Sequence, residues 1–169
     1  MIAARPPIRM RALQPDHSLM LLKGGEALFP MLAEAIANAR AEVLLETYIF
    51  EFAGSVIPIA EALEAAAQRG VCVQVVVDGV GTGDVPPAWQ RRWQAAGVHW
   101  RVYNPAQGWR LLLPERWRRL HRKLCVVDGR LGFCGGINLL DDYFDPNHGA
   151  LDQPRLDFAV RAKGPLVVD

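Results

Sequence analysis

The sequence predicts an α/β layered domain, with a mixed, mostly parallel sheet flanked by helices. Three observations carry this. From residue 27 to 103, segments with apolar residues at helical spacing alternate with continuous apolar runs. Glycines close the helical segments at Gly70 and Gly97. Past residue 120 the pattern changes, and two short apolar runs flank Asp128-Gly129, a dipeptide that favours tight hairpin turns.

The elements follow in order. Leu28, Met31, Leu32, Ala35, Ile36 and Ala39 repeat at helical spacing, so residues 27–40 are expected to form an amphipathic helix. VLLETYIFEF (43–52) reads as a strand. Ser55 is the expected N-cap of the next helix, with Pro58 in its first turn and Gly70 at its end. VCVQVVVD (71–78) is a continuous apolar strand of the kind covered on both faces. GVGTGDVPP is a loop, WQRRWQAA a short helix, and VHWRVY (98–103) a strand. KLCVV and LGFCG form a hairpin whose loop holds three or four residues, and LDFAVRA (156–162) is a further strand.

With 169 residues the chain can build one domain with a sizeable core. The first 18 residues, rich in Arg and Pro and without a continuous apolar stretch, read as a poorly ordered arm rather than a signal peptide; residues 19–169 form the domain. No apolar run is long enough to cross a membrane. A net charge of +1, with only three lysines, gives no Lys-rich face for a polyanion, so no nucleic acid is expected. Cys72, Cys125 and Cys134 lie in apolar runs and are expected as buried free thiols of a reducing compartment, and no Cys or His spacing suggests a metal site.

The chemistry concentrates in HRKLCVVDGRLGFCGGIN (121–138). Side chains two apart on a strand share a face, so His121 and Lys123 point the same way. An imidazole beside an ammonium is a poor core pair, whereas a phosphate satisfies both, Lys as a point charge and His as a nucleophile or acid. Asp128 sits at an odd spacing from His121 and is expected to fix the turn. Gly135 and Gly136 would let backbone approach a ligand closely, and Asn138 adds an amide donor.

H-x-K-x(4)-D followed by G-G-x-N, here His121, Lys123, Asp128, Gly136 and Asn138, resembles the signature of the phospholipase D superfamily. LLKGGEALFPMLAEAIANAR, LLETYIF, AAAQRGVCVQVVVDGVGT and AAGVHWRVYNP extend the likeness. Together they resemble the N-terminal half of bacterial cardiolipin synthases of the short type without transmembrane helices. The resemblance implies phosphatidyl transfer through a phosphohistidine, with phosphatidylglycerol as donor and no cofactor. The implied catalytic set is His121, Lys123, Asp128, Asn138 and Asp157. Lys123 and Asn138 would hold the phosphate oxygens, and Asp157 would orient the histidine. Lys123, Gly135, Gly136, Asn138, Glu46 and Tyr48 would bind substrate, although a buried Tyr and a capped Glu serve Tyr48 and Glu46 equally well.

Members of this family carry two such motifs, and this chain has one. His17, His99 and His148 lack a Lys two residues later. The sequence stops at GPLVVD, where the family would begin a helix. The resemblance therefore implies a second motif-bearing half or a homodimer partner. NPAQGWRLLLPERWRRLH (104–121) combines Trp109, Leu111, Leu112 and Trp117 with four arginines before His121. That composition suits an anionic membrane surface and a cytoplasmic protein held peripherally on the inner face of the cell membrane; a helix packed on a second half is the alternative. A dimeric nuclease of the same superfamily and an inactive truncated subunit are the competing functions.

Overall fold

The structure is a computed structural model, described here for residues 16–105, 118–145 and 149–167. The elements run β1 (Ser18–Lys23), α1 (Gly24–Ala37), β2 (Glu42–Thr47), α2 (Ile57–Gln68), β3 (Cys72–Asp78), α3 (Pro87–Ala96), β4 (His99–Tyr103), β5 (Lys123–Val127), β6 (Leu131–Gly135), β7 (Phe144–Asp145), β8 (Gly149–Ala150) and β9 (Phe158–Lys163). Seven strands form one sheet in the order β1-β9-β6-β5-β2-β3-β4, and β7 and β8 make a small hairpin.

The sheet is mixed, as expected, and its directions need one qualification. Five of the seven strands point the same way, while β5 and β9 run against them. Neighbour pairings are therefore mostly antiparallel: β2-β3 and β3-β4 are parallel and the other four are not. The βαβ alternation governs only the part of the chain up to β4. β5 and β6, joined by a short turn, can pair only antiparallel, and β9 runs against both of its neighbours, β1 and β6.

The core lies between the sheet and α1, α2 and α3. Leu28, Leu32 and Ile36 of α1 and Ile59, Leu63 and Ala66 of α2 are buried against Val43, Leu45, Val73, Val75, Val77, Cys125 and Phe133. Trp89 and Trp93 of α3 close one end with Phe50 and Phe52, and the Trp93 indole N–H donates to the Ala60 carbonyl at 3.2 Å. The opposite sheet face is only half-buried among the described residues. β3 alternates between exposed and buried positions, which corrects the expectation of a strand covered on both faces. Cys72 and Cys134 fall on that outer face and are exposed, so only Cys125 is the buried thiol expected of all three. Burial pushes the Cys125 thiol up to about 12, which makes it inert at neutral pH.

Two local expectations also change. α2 takes Val56 rather than Ser55 as its N-cap, and the Ser55 hydroxyl donates instead to Asp141 Oδ2 at 3.0 Å. The strand at 43–52 ends at Thr47, after which Phe50 bridges in parallel to Leu139. The hairpin loop holds three residues, because Val127 pairs directly with Leu131.

Asp128 anchors that loop. Its backbone is left-handed, with φ at 53°. Its carboxylate accepts from the backbone N–H groups of Arg40, Ala41 and Glu42, and its own N–H donates to the Glu42 carbonyl at 2.9 Å. Burial pushes this carboxyl up, but the N–H groups of Glu42, Ala41 and Arg40, with Arg130, outweigh it and hold it below the usual carboxylate range. A depressed folded-state pKa means that the stabilisation is present above the ordinary carboxylate value and is lost as pH falls through the folded one. Asp128→Ala strands these donors and strains the left-handed turn, at a cost of about 1–3 kcal/mol. Asp128→Asn, which tolerates that backbone, is expected to cost less. Thermal melts of both variants at pH 7 and pH 3 check this: the gap to wild type should shrink in acid.

Candidate active site

The carboxyl ends of β1, β2, β3, β4 and β6 meet the amino ends of β5 and β9 along one edge of the sheet. Ligands of open α/β sheets bind at such an edge. His121 and Lys123 are delivered here because β5 begins at Lys123, paired with Thr47 at the end of β2. The Lys123 ammonium lies 3.4 Å from His121 Nδ1 and 3.3 Å from Nε2. The Tyr48 ring packs 5.0 Å from the imidazole, centroid to centroid, and Lys123 Nζ lies 5.4 Å from the same ring.

Asp157 precedes β9 and reaches the cluster from the other side. Its Oδ1 accepts the Phe158 N–H at 2.7 Å. Burial holds the Lys123 ammonium below its ordinary 10.5, and the negative charge of Asp157 pulls the other way. Asp157 sits directly over Gly136, where a methyl group would overlap its carboxylate, and a side chain at Gly135 would overlap the Ala159 backbone. The two glycines thus make room for the chain itself rather than for a ligand, and the Gly136 N–H is already given to the Phe158 carbonyl at 2.9 Å. Gly136→Ala should displace Asp157 from Lys123. Isothermal titration with inorganic phosphate should then show weaker binding, with a stability loss of about 1–3 kcal/mol from overpacking.

Asn138 follows β6, and its segment is held beside residues 49–51: the Leu139 N–H donates to the Ile49 carbonyl at 3.1 Å, and the Glu51 N–H to the Leu139 carbonyl at 2.7 Å. Asn138 Oδ1 has no hydrogen-bond partner among the described residues. Asn138 and Asp157 line one cleft with Asp142, Arg155 and Leu156. A buried amide oxygen without a partner beside an open cleft is poised to accept from a donor on a ligand.

The structure therefore brings together His121, Lys123, Tyr48 and Asp157, with Asn138, Gly135 and Gly136 along the same edge. It does not bring Asp128, which lies at the far end of β5. Glu46 is paired with Arg122 at 3.1 Å, next to the histidine rather than on it. His17 and His99 open the far ends of β1 and β4. Trp109, Leu111, Leu112, Trp117 and His148 lie outside the described residues. Among the described residues no three His, Cys, Asp or Glu side chains are grouped as metal ligands, and no helix is long and apolar enough to cross a membrane.

One further residue reaches the site and was not singled out from the sequence. Asp78, fully buried at the end of β3, accepts the Leu120 N–H on Oδ2 at 2.8 Å, one residue before His121. The available signal was an Asp at the carboxyl end of an apolar strand, followed by Gly.

This sheet, with a His-x-Lys pair at its edge, defines a phospholipase D-like domain. The chain belongs to the family described as cardiolipin synthase, phospholipase D-like domain, whose model matches residues 32–151. It is 37% identical over 153 residues to cardiolipin synthase B of Salmonella typhi, covering 90% of this chain and 36% of that protein. Cardiolipin synthase A of Pseudomonas fluorescens is 30% identical over 98% of this chain and 34% of its own length. The chain thus spans about a third of the curated relatives it matches. Among solved structures, the phospholipase D family member Nuc of Salmonella typhimurium superposes with a TM-score of 0.62 at 22% identity, covering 90% of this chain and 88% of that one. NucT of Helicobacter pylori does so at 0.65 and 14% identity, with 90% and 89% covered.

Proposed function

We propose that this chain is one half of a cardiolipin synthase-type phosphatidyltransferase, with residues 19–169 as the motif-bearing domain. The observation that carries it is the Lys123 ammonium held 3.3 Å from the His121 ring at the sheet edge. In the first step a ring nitrogen of His121 attacks the phosphorus of phosphatidylglycerol. A P–N bond forms, the P–O bond to the glycerol headgroup breaks, and the leaving oxygen takes a proton from a second histidine. In the second step the hydroxyl of another phosphatidylglycerol, or of another lipid alcohol, gives its proton to that group and attacks phosphorus, breaking the P–N bond. Lys123 and the Asn138 amide hold the non-bridging oxygens, and Asp157 balances charge beside Lys123. No metal is needed for this charge stabilisation.

The second histidine comes from a second motif-bearing half or from another copy across a two-fold axis. The Trp-Leu-Arg segment before His121 supplies contact with an anionic membrane, which makes the protein peripheral on the cytoplasmic face. Trp109→Ser with Leu112→Ser should weaken binding to anionic vesicles, and unchanged binding would sink the membrane contact. A second reading, a dimeric phosphodiesterase acting on nucleic acid, draws support from the single H-x-K-x(4)-D motif in this chain. The net charge of +1 weighs against it.

The test is purified protein with phosphatidylglycerol vesicles and no added metal, read by mass spectrometry for cardiolipin and free glycerol, beside His121→Ala. Product lost in the variant supports a complete site assembled from copies of this chain. No product from folded wild type, with product restored by a second motif-bearing chain, supports a half-site. Product that persists in His121→Ala overturns the proposal.

A further inference from the structure

We propose that Asp78 is a positioning residue that sets the His121 imidazole against Tyr48 and Lys123. This deepens the reading of His121 as the phosphate acceptor. The carboxylate is fully buried and all its bonds are directed. Oδ1 accepts the N–H groups of Val80 at 2.8 Å and Gly81 at 3.1 Å, closing a turn just past β3. Oδ2 accepts the Leu120 N–H at 2.8 Å, and Arg119 Nη1 stands 4.0 Å from Oδ1.

The same turn also holds the backbone of Tyr48, whose ring packs on the imidazole. The Thr82 N–H donates to the Asp78 carbonyl at 3.0 Å. The Thr82 hydroxyl donates to the Tyr48 carbonyl at 3.0 Å and accepts the Phe50 N–H at 2.9 Å. Gly81 lies so close to the Tyr48 carbonyl that no side chain fits between them. One five-residue turn, 78–82, thus fixes the backbone immediately before His121 and the backbone of Tyr48.

His121 needs such support. It lies outside any strand, one residue past Leu120, and its imidazole is exposed. Its own ring contacts are with Lys123 and Tyr48, which cannot set its backbone. Arg119 Nη1 adds a bond to the Asn104 carbonyl at 3.2 Å, and the Asn104 amide donates to the Arg118 carbonyl at 3.0 Å, so residues 118–120 are pinned to the ends of β3 and β4 together. Asp78 is the charged centre of that bracket. A nucleophile must sit within a fraction of an ångström of its working position, so a slack bracket costs phosphate binding even when the fold survives.

The variant is Asp78→Asn, which keeps the shape but presents one acceptor oxygen where two are in use. Ile36→Ala, a core truncation in α1 away from the site, serves as a control of lowered stability. Three readouts are taken: amide exchange of Leu120, the pH titration of the His121 ring resonances, and affinity for inorganic phosphate. In Asp78→Asn the Leu120 amide should exchange about tenfold faster, the His121 resonances should shift or broaden, and phosphate should bind about fivefold more weakly. Ile36→Ala should alter none of these locally. A folded Asp78→Asn protein with Leu120 exchange and His121 resonances like wild type overturns the proposal. Should Asp78→Asn not fold, the wild type decides: a Leu120 amide that exchanges as fast as an exposed loop amide overturns it, and one protected at least about tenfold supports it. Absence of phosphate binding by wild type counts against the phosphotransfer reading alone, because amide exchange and ring resonances require no ligand.

Discussion

Replacing His121 by Gln is expected to abolish phosphatidyl transfer while leaving the domain folded. The imidazole is exposed and outside the strands, so its loss removes no core contact and should change stability by no more than about 0.5 kcal/mol. The chemistry has no substitute for it. Among the described residues, the other ring at the site is Tyr48, whose phenol lacks a nitrogen to form the P–N intermediate. A nucleophile removed from a covalent mechanism costs roughly a thousandfold or more. Initial rates of cardiolipin formation, measured with whichever partner chain completes the site and set beside the melting temperature, separate the two effects. A variant that keeps one tenth of the wild-type rate is incompatible with a nucleophilic His121.

Lys123→Met should have the second-largest effect, and its consequences for binding and for folding run in opposite directions. Loss of a charge that holds a phosphoryl oxygen costs about 100- to 1000-fold in rate. For folding, burial holds the ammonium below 10.5 despite the pull of Asp157. A lysine whose pKa is lowered on folding destabilises the fold while it is charged, and the penalty disappears as pH rises through the folded value towards 10.5. Lys123→Met removes that penalty. Its melting temperature should equal or exceed that of wild type at pH 7, and the difference should narrow at alkaline pH. Phosphate affinity of the wild type should fall at a lower pH than a free lysine would dictate, since the cationic form does the holding. A melting temperature well below wild type at pH 7 would contradict the burial argument.

The site's central pair was legible because its geometry is local. His121 and Lys123 are two residues apart in sequence, and although β5 begins only at Lys123 the two side chains meet at 3.3 Å. The Asp128 turn was legible for the same reason. What escaped is long-range. Asp78 lies 42 positions from Leu120, and its buried carboxylate looks from the sequence like the polar end of an apolar strand. Ser55 resembles a helix cap until Asp141, 86 positions away, offers a better partner. The apolar run 71–78 suggested burial on both sides, but the register sets Cys72 and Gln74 on the outer face, where among the described residues no helix packs. Gly135 and Gly136 signalled a close approach correctly, yet what approaches is β9 and Asp157.

If His121 takes the phosphate, the covalent intermediate can be trapped on its ring. Protein mixed with phosphatidylglycerol vesicles, with and without a second motif-bearing chain, is quenched in alkali, where a phosphoramidate survives, then digested and mapped by mass spectrometry. The expected result is a phosphatidyl or phosphoryl adduct on the peptide carrying His121, absent in His121→Gln. Cardiolipin formed by the assembled enzyme with adducts only on the partner's histidine would contradict it, and His121 would then serve as the proton donor instead.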